Sequence, residues 1–249
     1  MKTHTRVVVI GGGVVGCSVL YHLTKLGWSD VMLIERSELT SGSTWHAAGG
    51  FHTLNGDTNM AALQGYTIRL YKELEAITGM SCGLHHVGGI TMADTQERFD
   101  QLKAERAKHR YMGLDTEILS PEEISKLTDG LVNTKGILGG LYDPLDGHLD
   151  PSGTTHAYAK AARMGGAEII LHNRVLETNP TKDGWEVVTE KGTITCEHLV
   201  NAGGLWAREV GAMAGVYLPL LPMAHQYIVT DDIPEIMDIL KTGREFPHV

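Results

Sequence analysis

Nothing else in the sequence restricts the fold as tightly as the run from Arg6 to Gly50, RVVVIGGGVVGCSVLYHLTKLGWSDVMLIERSELTSGSTWHAAGG. Arg6 to Ile10 is rich in β-branched side chains and predicts a buried parallel strand. Gly11, Gly13 and Gly16 follow in G-x-G-x-x-G spacing. From Val14 to Leu26 the apolar residues Val15, Val19, Leu20, Leu23 and Leu26 recur at helical period, and Gly27 ends the helix. Val31 to Ile34 then reads as a second strand that ends in Glu35. Strand, glycines, helix, strand and terminal acid together predict a βαβ unit that holds a dinucleotide.

Each part has a physical reason. Gly11 permits the tight turn, Gly13 lets backbone approach a pyrophosphate, and Gly16 lets helix and strand pack closely. Val14 and Val15 fall at the helix N-terminus, where free N–H groups and the helix dipole favour an anion. Glu35 can accept hydrogen bonds from a ribose diol. The unit alone does not separate NAD from FAD.

The segment after Glu35-Arg36 does. Ser41-Gly42-Ser43-Thr44-Trp45-His46-Ala47-Ala48-Gly49-Gly50 is small and flexible apart from one tryptophan and one histidine. Here the chain resembles the FAD-dependent amine oxidoreductases of the glycine-oxidase and sarcosine-oxidase superfamily. Within it, the resemblance is to the dimethylglycine dehydrogenases and oxidases and the sarcosine dehydrogenases. In that family an S-T-W-H-A-A-G-like stretch carries a histidine bonded to the 8α carbon of FAD, and the match puts that role on His46. A neutral imidazole is a competent nucleophile toward such a carbon. On the residues alone, a histidine beside a tryptophan reads first as a packing or hydrogen-bonding group. The resemblance implies that Arg36 and residues 42 to 50 contact the flavin nucleotide along with Gly11, Gly13, Val14, Val15, Gly16 and Glu35.

The net charge of −9 and the lack of a dense basic run exclude a nucleic-acid surface. Three cysteines, Cys17, Cys82 and Cys196, are few, odd in number and far apart, which suits a reducing compartment. No apolar run is long enough to span a bilayer. The first strand starts at Arg6, which leaves no space for a targeting peptide. A cytoplasmic bacterial protein is expected, with a processed mitochondrial matrix protein as the other reading.

Further along, Asp57 to Thr78 predicts a long amphipathic helix on Met60, Leu63, Ile68, Tyr71, Leu74 and Ile77. Gly88 to Ala93 predicts a short strand. His85-His86 precedes it, and adjacent imidazoles make a poor metal pair, so no metal site is expected. Asp94 with Glu97 predicts a capped, solvated helix to about Met112, and Ser120-Pro121-Glu122-Glu123 opens another. Gly136 to Asp150 is dense in Gly, Asp and Pro and predicts a crossing between lobes. Its Tyr142, Asp143, Asp146 and His148 resemble an acid/base cluster, but turn chemistry accounts for the aspartates. A helix from Asp150 to Arg163 follows, then strands at Glu168–Leu171, Arg174–Glu177, Trp185–Thr189 and Thr193–Cys196.

Leu199 to Trp206 returns to the cofactor lobe, and Ala202-Gly203-Gly204 suits close backbone approach to a ligand. The resemblance assigns FAD contacts to Val175 and Trp206; core packing is the other reading for Trp206. After a helix from Trp206 to Ala214, Gln226 to Thr230 predicts a strand. The stretch Pro222-Met223-Ala224-His225-Gln226-Tyr227 is similar to a P-x-x-H-Q-Y stretch of the family and puts its active-site histidine at His225.

The expected class is α/β: a Rossmann-like, glutathione-reductase-like FAD lobe interleaved with an antiparallel-sheet substrate lobe. The FAD lobe is expected at about 1–84 and 145–215, the substrate lobe at about 85–144 and 216–249. Family members continue beyond the equivalent of Val249, some with a module that binds tetrahydrofolate, so an N-terminal fragment is expected. The resemblance implies oxidative N-demethylation of dimethylglycine or sarcosine, a small N-methyl amino acid, by hydride transfer from the N-methyl carbon to FAD. Electrons would pass to oxygen or an electron-transfer flavoprotein. His225 would accept the amine proton, and Arg69 is one conceivable carboxylate partner. Two alternatives remain: another amino-acid oxidase of the superfamily with non-covalent FAD, and a catalytically silent regulatory paralogue.

Overall fold

The computed structural model describes residues 2–53, 55 and 57–249. The first elements are β1 (His4–Ile10), α1 (Val14–Lys25), β2 (Val31–Ile34), a 3-10 turn (Thr44–His46), β3 (Gly50–Phe51) and α2 (Thr58–Thr78). Next come β4 (Gly89–Ala93), α3 (Gln96–Tyr111), β5 (Glu117–Leu119), α4 (Pro121–Leu127), β6 (Gly139–Asp143) and β7 (Gly147–His148). The chain then forms α5 (Pro151–Met164), β8 (Glu168–Ile170), β9 (Val175–Thr181), β10 (Gly184–Thr189) and β11 (Gly192–Asn201). A 3-10 turn (Gly204–Trp206), α6 (Ala207–Met213) and α7 (Pro234–Leu240) complete it.

Two compact units result. The first is Met1–Ala48, Lys72–Gly83 and Asp150–Ala224; the second is Gly49–Tyr71, Leu84–Leu149 and His225–Val249. Residues 49–71, expected in the nucleotide lobe, thus group with the second unit, and the division falls inside α2.

In the first unit the sheet order is β8-β2-β1-β11-β10-β9. The first four strands are parallel, and the β9–β10–β11 meander is antiparallel. Val7 to Ile10 and Val31 to Ile34 are buried without interruption, as parallel strands covered on both faces must be. On one face Val8, Ile10, Met32 and Ile34 join Val187 and Ile194, with Val210 and Met213 of α6 packed against them. Elsewhere in this unit α1 packs on α5, as well as on β1 and β2.

Several expected details are corrected here. The buried stripe of α1 is Gly16, Cys17, Leu20 and Tyr21, whereas Val15 is 63% and Leu26 76% exposed. Gly16 and Cys17 take the packed side of its first turn and Leu20 and Tyr21 that of the next, and Leu26 lies past its last turn. Likewise Met60, Leu63 and Ile77 of α2 are exposed, and the buried residues include Ile68 and Leu74. Thr193–Cys196 and Leu199–Asn201 are one continuous strand, β11, because its length pairs with β10 on one side and β1 on the other. Gln226 to Thr230 forms no strand. Its side chains are exposed, and among the described residues no strand pairs with it, so its backbone has no ladder to join.

The second unit has an antiparallel sheet in the order β4-β6-β5, and a separate β3–β7 pair. Its residues alternate between two clusters: Ile90 and Leu119 meet Ile124 of α4, while Ala93 and Leu141 meet Leu102 of α3. The stretch expected as a crossing contains β6, the central strand, because Leu141 is fully buried there and Gly139 and Gly140 add ladder bonds. The cap of α3 is Thr95, whose hydroxyl accepts from the Arg98 N–H, and not Asp94. The helices expected at Ser120 and Asp150 form, the first opened by a Ser120–Glu123 capping box and the second capped by the Asp150 side chain. Among the described residues no helix is long and apolar enough to cross a membrane.

Candidate functional site

The site is built at the carboxyl ends of β1, β2 and β11. Gly11 leaves β1 with φ of +113°, a left-handed conformation, and its N–H donates to the Ile34 carbonyl at 2.9 Å. A side chain there would overlap the carbonyl of Ala202, which follows β11. Gly16 is equally restricted: a Cβ would overlap the Gly11 carbonyl. These two glycines hold helix α1 tight against the strand ends. Gly13 is the residue before α1 and supplies no side-chain cap.

Glu35 binds the glycine turn directly. Its Oε2 accepts from the Gly12 N–H at 2.7 Å and its Oε1 from the Ser37 N–H at 2.8 Å. Its own backbone is anchored by Ile170 O and Asn173 N. Each carboxylate oxygen keeps lone-pair capacity for a further donor. A second tie runs through the loop after Glu38: Thr40 N donates to Gly12 O at 3.0 Å, and Val14 N donates to Thr44 Oγ1 at 3.0 Å.

Between these parts lies a cavity of about 400 Å³, within the range of small-molecule sites, roughly 300–1,000 Å³. Its walls include Gly11, Gly13, Val14, Val15, Glu35 and Arg36. Gly42, Ser43, Thr44 and Ala47 wall it from the loop, Val175 from the start of β9 and Trp206 from the 3-10 turn after β11. The Arg36 guanidinium lies 3.6 Å from the Trp206 ring centroid. Gly16 sits beneath the turn and outside the lining. Trp45 and His46 are exposed, with ring centroids 3.7 Å apart, and neither they nor Ala48 wall the cavity. Gly49 and Gly50 belong to the second unit, where Gly50 pairs with His148. His225 also belongs to that unit and is exposed on irregular backbone.

Some wall residues carried no signal in the glycine pattern. Asn173 and Arg174 precede β9, and Glu209, Val210 and Met213 come from α6. For Val210 and Met213 the i, i+3 spacing just after the Ala202-Gly203-Gly204 turn was the available sign.

The second unit holds the aspartates of the Gly/Asp-rich stretch. Asp143 and Asp146 are buried. Thr53 donates from its hydroxyl to Asp143 Oδ2, and from its N–H to Asp146 Oδ1 at 3.2 Å. Leu145 N donates to Asp143 Oδ1 at 2.9 Å, the turn chemistry expected. Burial first, then the charge and hydrogen bond of Asp143, pushes Asp146 up to about 8. His85 and His86 do diverge: His85 pairs with Glu245 at 2.7 Å and stacks on His148, while His86 meets Phe51 edge-on. Among the described residues no cluster of His, Cys, Asp or Glu could hold a metal. All three cysteines are buried thiols outside any disulfide. Burial pushes Cys17 up to about 12 and Cys196 up to about 11, so neither is a thiolate at neutral pH.

A glycine turn on a parallel sheet, a helix N-terminus facing a cavity and an acid at the second strand tip define a dinucleotide-binding flavoprotein or dehydrogenase fold. The chain belongs to the FAD dependent oxidoreductase family, whose pattern matches residues 6–248. It is 44% identical over 247 residues to mitochondrial dimethylglycine dehydrogenase of Rattus norvegicus, covering 99% of this chain and 28% of that protein. Mitochondrial sarcosine dehydrogenase of Homo sapiens is 40% identical over 246 residues, covering 96% of this chain and 27% of that one. The chain thus spans less than a third of the length of these relatives. Among solved structures, L-proline dehydrogenase from P. horikoshii superposes with a TM-score of 0.81 at 27% identity, covering 87% of this chain and 57% of that one.

Proposed function

We propose that this chain serves flavin-dependent oxidative N-demethylation of an N-methylated glycine, dimethylglycine or sarcosine. The observation that carries this reading is the 44% identity to a dimethylglycine dehydrogenase over nearly the whole chain. The cavity is consistent with the adenosine and pyrophosphate portion of FAD. A Cβ on Gly13 would meet only the Thr44 hydroxyl, so this backbone stands open to a phosphate. Glu35 accepts from the ribose, and Val175 and Trp206 wall the adenosine end.

When bound, FAD supplies the two-electron acceptor for hydride leaving the N-methyl carbon. The rest is the protein's work. The glycine turn and α1 hold the pyrophosphate, and His46 holds the isoalloxazine end through a covalent bond. His225 accepts the proton of the substrate amine, since only the free amine has a lone pair to stabilise the developing cation. The first unit is the FAD lobe and the second the substrate lobe.

The test uses full-length protein made with riboflavin available. Acid-precipitated protein should stay yellow, and the His46→Ala variant should lose that colour. Dimethylglycine or sarcosine should bleach the flavin under anaerobic conditions, at least tenfold more slowly in His225→Ala. A flavin that neither substrate bleaches overturns the assignment.

A further inference from the structure

The first turn of α1 takes its side-chain cap from a distant part of the chain. The residue in the cap position is Gly13, which has no side chain to offer. The Val14 N–H is instead satisfied by Thr44 Oγ1 at 3.0 Å, thirty positions along the sequence. Thr40 N adds a bond to Gly12 O at 3.0 Å. Thr40 has φ of +68°, which is uncommon for a threonine and fixes the direction of the loop. Two hydrogen bonds therefore dock residues 40–46 on the glycine turn. His46 closes the 3-10 turn that Thr44 opens.

We infer that Thr44 is a positioning residue that fixes the loop carrying His46 to the phosphate-binding end of α1 through the Val14 N–H. The inference rests on the reading of His46 as the flavin tether and adds how that histidine is aimed. The residue that reads the nucleotide turn is two positions from the one that holds the flavin ring. Val14 and Thr44 both face the cavity, so dinucleotide binding and the setting of His46 meet at one donor. A phosphate oxygen arriving at Val14 N–H bears on the same hydroxyl that steers the loop.

The bond can be cut from either side. Thr44→Val removes the acceptor and keeps the shape, while Thr44→Ser keeps the hydroxyl. Val14→Pro removes the donor at the first helical position, where proline is well tolerated. Gly13 has ψ of 179°, the extended conformation that a residue before proline requires. The experiment compares flavin-loaded full-length proteins by hydrogen–deuterium exchange of residues 40–47 and by the share of bound flavin that survives acid precipitation. Thr44→Val and Val14→Pro should each speed exchange about tenfold and lower the acid-stable share at least fivefold. The double variant should go no further than either single one, and Thr44→Ser should match wild type. Unchanged exchange in both single variants overturns the inference, as does additive loss in the double variant. Wild-type protein without acid-stable flavin removes the tether reading instead, and the exchange comparison then decides the role of Thr44 by itself.

Discussion

The guanidinium carbon of Arg36 lies 3.6 Å from the centroid of the Trp206 indole ring, and both residues wall the same cavity. A Cβ at Gly42 would come 3.5 Å from that indole, so Trp206 also rests on the loop that carries Thr44. One side chain thus links three segments, after β2, before the 3-10 turn at Thr44, and after β11. Stacking of this kind contributes about 1 kcal/mol when partly desolvated. Trp206→Ala in a His46→Ala background should therefore weaken FAD binding roughly fivefold or more. Fluorescence titration of the deflavinated protein reads this, and an equal Kd in the two proteins would count against the clamp.

Gly16 has no space for a side chain, because its Cα faces the Gly11 carbonyl. Gly16→Ala should lower unfolding free energy by about 3 kcal/mol, at the upper end of overpacking costs. A urea denaturation midpoint within error of wild type would show that α1 can move away freely.

Glu35 uses both carboxylate oxygens on backbone donors, Gly12 and Ser37. In Glu35→Gln the amide nitrogen faces one of those N–H groups, leaving a part-buried donor unsatisfied at a cost of about 1–3 kcal/mol. The variant should show a lower thermal midpoint and at least fivefold weaker FAD binding. Saturation with FAD should recover only part of the midpoint, since the turn itself is altered.

Asp146 is held protonated at neutral pH, its folded pKa of about 8 lying above the ordinary carboxylate value of 3.8. A group raised on folding contributes its stability fully below the unfolded pKa and loses it as pH rises through the folded one. Stability of the second unit should fall between about pH 4 and 8, with a slope from this group approaching about 1.4 kcal/mol per pH unit. Asp146→Asn keeps the buried contacts without the charge and should flatten that limb. Hydrogen exchange of residues 139–148 across this range is the direct measurement, and parallel profiles for the two proteins would remove Asp146 as the cause.

The nucleotide half of the fold was legible because its constraints are local. The glycine spacing, the buried strands around it and Glu35 at a strand tip each follow from a few neighbouring residues, and β2 begins and ends where the pattern puts it. The lower legibility of β6 has a cause: Gly139 and Gly140 contribute ladder bonds with no side-chain signature, so the segment reads as loop. Gln226 to Thr230 differs the other way, since its β-branched and aromatic residues suit a strand only where a sheet lies beside them and cannot supply the sheet. Val15 falls in the helical period of α1 as an apolar residue, and its exposure follows from the cavity it faces, where the nucleotide contact was expected. At the site, the Val14–Thr44 and Arg36–Trp206 pairs lie beyond any local pattern, because both partners are recognisable only once the chain has brought them together.

Strand β11 has a consequence for how the protein is made. Its pairing with β1 joins residues 191 positions apart, His4 with Thr195. The carbonyl that abuts Gly11 belongs to Ala202, so the nucleotide turn at the start of the chain completes its wall only after about two hundred residues have left the ribosome. Closing so long a loop is slow. Until β11 has been made the exposed edge of β1 is therefore a template for wrong partners, and chaperone protection of that edge would precede any capture of flavin.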